Sequence, residues 1–293
     1  MNRWRAEAAL ALNTLIWGAT FVVVKEALES VSTLLFLALR FTLAAGALAV
    51  LFRRSWSHPR AVRRAVGVGA LAGLFLFSGY LFQTLGLRLT TAPKSAFITG
   101  LAAVLVPILA MIVYRNRPRL AEIAGLLLAT AGMGLMTLQG SLLGIGRGDL
   151  LTFFCAVAFA AHILVLGRYS AEVSFEILSV AQIGTAALLS LALFWWVETP
   201  FLHWRPALVC AILITGLLAT ALAFTIQAWA QRHTTSTRTA LIFTLEPVFA
   251  WMTSYLVMGE SLSGRAAAGA ALILGGVLLV ELKPLHRRPH PCG

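Results

Sequence analysis

Eight stretches of this chain run for 15 residues or more without one Asp, Glu, Lys or Arg: 8–24, 65–87, 95–114, 123–146, 150–167, 177–197, 206–231 and 266–280. A helix on the surface of a soluble globule needs a solvated face, and these stretches have no charges from which to build one. The chain as a whole is equally poor. Of its 293 residues 12% are charged and 59% apolar, against about 25% charged in soluble domains, and the mean hydropathy is +0.87. Lipid is the matching solvent. A membrane-crossing helix takes about 20 mainly apolar residues, so this length holds about ten to twelve of them. Two further spans, 34–52 and 238–258, each enclose one internal charge, Arg40 and Glu246. With ends set at charges, Gly and Pro, the expectation is an all-α polytopic membrane protein of ten helices and short loops.

The net charge of +12 sits in short clusters between spans, the pattern of loops facing anionic headgroups and not of a nucleic-acid surface. Over alternate loops, sixteen Lys and Arg fall on the side of both termini, six on the other and Arg40 inside a span, which accounts for all 23. Basic flanks stay in the cytoplasm, so both termini are expected there. Arg3 and Arg5 precede the first apolar stretch as in a signal peptide, but it runs into Lys25-Glu26 without an A-x-A-like site and reads as a span. Cys155, Cys210 and Cys292 are odd in number and scattered, so they supply neither a disulfide framework nor a zinc spacing.

A shift of 144 residues aligns Gln83–Ile98 with Gln227–Ile242, identical at six of sixteen positions, where chance gives about one. Lys94 then pairs with Arg238, Gly125 with Gly269 and Gly132 with Gly276. A duplicated five-helix unit accounts for this, with halves 1–144 and 145–293. Five is odd, so the second copy enters the membrane in the opposite sense, the design of many carriers.

The few polar groups inside spans are candidates for lining a midplane cavity, and each has a structural alternative. Asn13, Trp17 and Thr20 share one helical face that suits either a cavity or a helix contact. Tyr80, Gln83 and Thr84 cluster in the third span, Ser179 and Gln182 in the seventh, and Gln227 repeats Gln83. His162 stands near the end of an otherwise apolar sixth span, where a bond to a neighbouring helix's backbone would also satisfy it. Glu246 is about the tenth residue of its span, roughly 14 Å deep in a ~30 Å core, and Pro247 beside it frees the carbonyl of Phe243. Such a carboxylate suits a substrate ammonium or a transported proton; the alternative is an ion pair with Arg40. Pro107 is expected to make the counterpart break in the first half. Gly69 and Gly73, like the paired glycines 125, 132, 269 and 276, suit close helix packing. Gly67-Val68-Gly69 with Gly73 lacks the strand of a dinucleotide site. No H-E-x-x-H, P-loop or G-x-S-x-G occurs, so no enzyme activity, cofactor or metal is expected.

Several motifs resemble the drug/metabolite transporter superfamily, and within it the EamA family of ten-helix bacterial carriers. They are Leu15-Ile16-Trp17-Gly18-Ala19-Thr20-Phe21 with Lys25, Leu39-Arg40-Phe41, and Thr91-Ala92-Pro93-Lys94-Ser95-Ala96 leading to Pro107. In the second half they are Leu245-Glu246-Pro247-Val248, Met258-Gly259-Glu260 and Gly275-Gly276-Val277. The resemblance implies a basket of helices around a central cavity and is nearest to the aromatic amino-acid exporters. One departure stands out: the first-half counterpart of Gly259-Glu260 falls in Arg115-Asn116-Arg117-Pro118-Arg119, so a role for an acid there does not transfer.

The expectation is therefore a multi-pass secondary carrier of the bacterial inner membrane. It would export amino acids, aromatic or apolar ones among them, by alternating access. Trp17, Thr20, Tyr80, Gln83, His162, Gln182, Gln227, Glu246 and Trp251 are the expected substrate contacts, with Tyr255 as a further ring. The partners are a small-molecule substrate and the bilayer, not nucleic acid; the sequence leaves the oligomeric state open, a monomer included. Export of drugs, nucleosides or other metabolites competes within the class; a lipid-modifying enzyme or a passive channel competes from outside it.

Overall fold

The computed structural model describes residues 3–56, 59–90, 92–115, 118–138, 146–258 and 263–282. Thr91, Gly259, Glu260 and Cys292, named above, lie outside them, as do Asn116 and Arg117. The elements are α1 (Arg3–Ala27), α2 (Thr33–Leu51), α3 (Pro59–Leu87), α4 (Ala92–Gly100), α5 (Ala102–Tyr114), α6 (Leu120–Thr137), α7 (Arg147–Tyr169) and α8 (Phe175–Val197). Then come α9 (Pro206–Leu213), a π-helical stretch (Ile214–Leu222), α10 (Ala223–Ala230), α11 (Ser236–Phe243), α12 (Glu246–Met258) and α13 (Gly264–Leu282). No strand occurs among the described residues; Val31 and Leu202 form one isolated antiparallel bridge.

Helix starts follow local chemistry. The Asp149 carboxylate accepts the Gly146 N–H at 2.8 Å to begin α7, Glu122 accepts the Arg119 N–H at 2.9 Å to begin α6, and the Ser174 hydroxyl accepts the Ile177 N–H at 3.4 Å in α8. Each satisfies a donor that the first helical turn leaves unpaired.

The distribution of polarity is inverted relative to a soluble bundle. Leu120 and Trp196 are each 85% exposed, while Arg40 is 4% and Arg238 2% exposed. Outward apolar surface with buried charge is what lipid selects. By length and hydropathy seven segments among the described residues are able to cross a membrane: Thr33–Leu51, Ala61–Gly86, Lys94–Tyr114, Leu120–Thr137, Arg147–Tyr169, Phe175–Val197 and Pro206–Ala230. Gly264–Val280 is apolar but shorter. The span expected over 238–258 is divided into α11 and α12.

Glycines set the closest packing. A Cβ at Gly125 would lie 2.7 Å from the Gly276 carbonyl oxygen, and one at Gly269 would lie 2.6 Å from that of Gly132. Positions rising along α6 thus meet positions falling along α13, so these repeat-equivalent helices run antiparallel. Gly69 and Gly73 let α3 approach the backbone of α8 around Leu178 and Gln182.

Candidate functional site

The site starts from two helix breaks. Between α11 and α12 the backbone tightens, with Thr244 N–H donating to Leu241 O at 3.1 Å and Leu245 N–H to Ile242 O at 3.0 Å. Between α4 and α5 the Leu101 N–H donates to Ile98 O at 3.1 Å. Leu101 and Leu245 are 144 residues apart, so both copies break at the same place. This corrects the expectation for Pro107, which lies inside α5. A proline removes one N–H donor and kinks a helix that can continue. At the start of a helix, where Pro247 stands, that donor had no partner to lose. Glu246 is accordingly the first residue of α12, and the unpaired N–H groups of this turn favour a negative charge.

Gly18 brings α1 onto this break: a Cβ there would lie 2.8 Å from Ala250 N and 2.9 Å from Glu246 O. The adjacent Trp17 donates its Nε1–H to Ala219 O at 2.9 Å, and its ring lies 5.0 Å from Phe243 and 5.4 Å from Phe224. Phe224 also meets Tyr80 at 6.5 Å and His162 at 5.7 Å, while Tyr80 meets Phe41 and Phe159, each at 5.4 Å. A wall of rings results. Glu246, half-buried, opens α12 three residues after Phe243, whose ring meets Trp17, and makes no hydrogen bond or ion pair among the described residues.

Arg40 approaches the same wall from α2. Its Nε donates to Thr220 Oγ1 at 2.5 Å, and its Nη2 to the Tyr80 hydroxyl and to Ala219 O, each at 3.2 Å. Its guanidinium stands 5.0 Å from the Tyr80 ring centre. Ala219 and Thr220 belong to the π-helical stretch, where the Thr220 hydroxyl donates to Thr215 O at 2.8 Å, five residues back. Such widened turns concentrate at functional sites. The ion pair weighed for Arg40 and Glu246 is absent: no carboxylate lies within 4 Å of Arg40 among the described residues.

The remaining expected contacts separate into groups. His162 Nε2 and Gln182 Oε1 are 2.9 Å apart, and Gln182 Nε2 donates to Phe224 O at 3.4 Å, which joins both to the ring wall. Gln227 donates to Gln231 Oε1 at 3.0 Å, whereas its repeat counterpart Gln83 donates to Thr99 Oγ1 at 3.4 Å. The Thr20 hydroxyl turns back onto Ile16 O and Trp17 O. Trp251 stacks on Tyr255 at 5.9 Å, apart from the wall, with its Nε1 buried and unpartnered, as is the whole amide of Asn13. Ser179 bonds within its own helix. Sequence reasoning missed Phe224, Phe159 and Thr220. One signal was present, since Phe224 is the repeat counterpart of Tyr80.

Polar clamps join the two halves. Thr90 Oγ1 and Lys94 Nζ hold Asp149, at the start of α7, each at 2.6 Å. Thr234 Oγ1 holds Glu7, near the start of α1, at 3.0 Å, and Arg238 Nη1 does so at 3.3 Å. Thr90 and Thr234, like Lys94 and Arg238, are 144 apart, so one arrangement is built twice. A cavity of about 220 Å³, lined by Leu28, Val31, Thr33, Thr84, Arg88 and Phe201, ends at Thr84, about 6 Å along α3 from Tyr80.

Comparison with known proteins fits these observations. A sequence model described as EamA-like transporter family matches residues 4–138 and again 146–282. A protein of Archaeoglobus fulgidus named an uncharacterized transporter is 35% identical over 283 residues, covering 97% of this chain and 88% of its own. YyaM of Bacillus subtilis, also named an uncharacterized transporter, is 27% identical over 273 residues, with 89% and 88% covered. A solved crystal structure, 20% identical, overlays with a TM-score of 0.81 across 96% of this chain and 98% of its own, which shows the fold alone. Two matches to one family, one on each half, extend over nearly the whole sequence: the chain belongs to the EamA-like transporter family.

Proposed function

We propose that this chain is a ten-span secondary carrier of the bacterial inner membrane, with both termini cytoplasmic, that exports amino acids, aromatic or apolar ones among them. The observation that carries the reading is Glu246. A carboxylate without a protein partner, at the mouth of a half-helix and beside a wall of rings, suits a ligand with an ammonium and an apolar side chain. Trp17, Tyr80, His162 and Gln182 border that ligand in this reading. Thr20, Gln83, Gln227 and Trp251 are further contacts, reached as the halves move.

Alternating access between inverted halves 1–144 and 145–293 is supported by the antiparallel crossing of α6 with α13 and by the duplicated clamps. Opposite orientation of the halves puts the Lys94–Asp149 clamp on the outer side and the Arg238–Glu7 clamp on the inner side. Each would open in turn while the other holds.

Purified protein in liposomes, loaded with a panel of amino acids and nucleosides and tested for counterflow with and without a pH gradient, tests the function. Saturable exchange of amino acids is expected. Exchange confined to nucleosides or other metabolites, or unsaturable flux, refutes it.

A further inference from the structure

Arg40 presents an unusual balance of charge. Lys and Arg near the ends of spans ordinarily extend to the interface, where water and headgroups solvate them. Arg40 instead turns inward and is 4% exposed. Its partners are neutral: two hydroxyls, one carbonyl and the faces of Tyr80 and Phe41. Its Nη1 has no hydrogen-bond partner among the described residues. Glu246 is the converse case, a carboxylate without a cation. Both reach the Trp17–Gly18 segment of α1 without pairing with each other: Arg40 shares the Ala219 carbonyl with the Trp17 indole, and the Glu246 backbone faces Gly18. A charge withdrawn from water and left uncompensated is costly, and two of opposite sign that do not pair with each other are compensated together by a ligand that carries both signs.

We infer that Arg40 receives the carboxylate of the substrate while Glu246 receives its ammonium, so that the site recognises the two charges borne on one carbon of an α-amino acid. The inference rests on the amino-acid carrier reading and adds to it a residue and a specificity. The geometry links both poles through α1. Ala219 O accepts from Trp17 and from Arg40, and the next residue, Gly18, touches the backbone of Glu246. Thr220 and Tyr80 fix two edges of the guanidinium, which leaves Nη1 to meet a carboxylate oxygen. The ring wall then faces the side chain of the amino acid.

The test uses the full chain in liposomes, with phenylalanine and leucine as probes. Each is compared with its decarboxylated amine (phenethylamine, 3-methylbutylamine) and its deaminated acid (3-phenylpropionate, 4-methylpentanoate), read as inhibition of counterflow. Wild type is expected to bind amine and acid about ten- to a hundredfold more weakly than the amino acid, the value of a charge-assisted hydrogen bond. Arg40→Gln is expected to weaken the amino acid by the same factor and leave the amine unchanged, with Arg40→Lys recovering part of the loss. Glu246→Gln is expected to spare the acid instead. Should Arg40→Gln fail to fold, Arg40→Lys is read in its place and is expected to weaken the amino acid while leaving the amine unchanged. Equal affinity for amino acid and amine overturns the assignment of Arg40 while leaving amino-acid transport standing. Absence of any amino-acid exchange defeats the carrier reading and this inference together.

Discussion

At the scale of single residues, the missing ion pair changes what a substitution at Glu246 does. Removing one member of a buried pair costs about 3 to 5 kcal/mol because the other charge is stranded. Glu246 strands nothing, since no cation pairs with it among the described residues. Glu246→Gln, similar in size and able to hydrogen-bond, is therefore expected to leave yield and Tm unchanged or raised while transport falls about tenfold or more. If the carboxylate moves protons rather than holding an ammonium, the variant loses its response to a pH gradient and keeps downhill exchange. A collapse in Tm with normal transport per folded molecule would falsify both roles. Phe224 belongs to the same scale: as the ring shared by Trp17, Tyr80 and His162, its replacement by Ala is expected to cost about 3 to 5 kcal/mol, read as a fall in Tm.

At the scale of elements, the approach of α1 to α12 depends on one absent side chain. Gly18→Ala puts a Cβ against backbone atoms of Ala250 and Glu246, and backbone cannot rotate away as a flexible side chain can. A loss of about 1 to 3 kcal/mol is expected, with transport reduced further because Trp17 and Glu246 separate; Gly46→Ala, where nothing stands within 4 Å, serves as the control. Much of this level was legible in the sequence. The charge-free stretches gave most of the helices, and the shift of 144 gave the duplication. The second-half break was legible at Pro247, but the first-half break was not, because Pro107 is the stronger local signal there and yet is absorbed within α5, while the break falls at Leu101 by 3₁₀-type tightening that leaves no residue signature. Nor was Arg40 legible as part of the ring wall. Its partners Ala219 and Thr220 are presented by a π-helical stretch whose residues, Ile214–Leu222, read as ordinary apolar helix.

At the scale of the whole molecule, alternating access depends on which way each half crosses the membrane. Two halves in the same sense would put their equivalent loops, 88–94 and 232–238, on one side; inverted halves put them on opposite sides. The antiparallel crossing of α6 with α13 and the excess of basic residues beside the termini both favour inversion. Leu89 and His233 make the question measurable, because they occupy equivalent positions in those loops and Leu89 is 62% exposed. In a background with Cys155, Cys210 and Cys292 replaced, Leu89→Cys is expected to react with a membrane-impermeant maleimide in intact cells, and His233→Cys only after permeabilisation. Labelling of both from one side would sink the inverted repeat, and with it the assignment of the two clamps to opposite faces. Opposite labelling licenses a sharper trial of the clamps: Asp149→Asn, by weakening the hold on Lys94, is expected to raise the outward reactivity of a cysteine at Thr84, and Glu7→Gln, by weakening the hold on Arg238, to lower it. A carrier that opens one side at a time must respond with opposite signs, whereas a passive channel has no reason to do so.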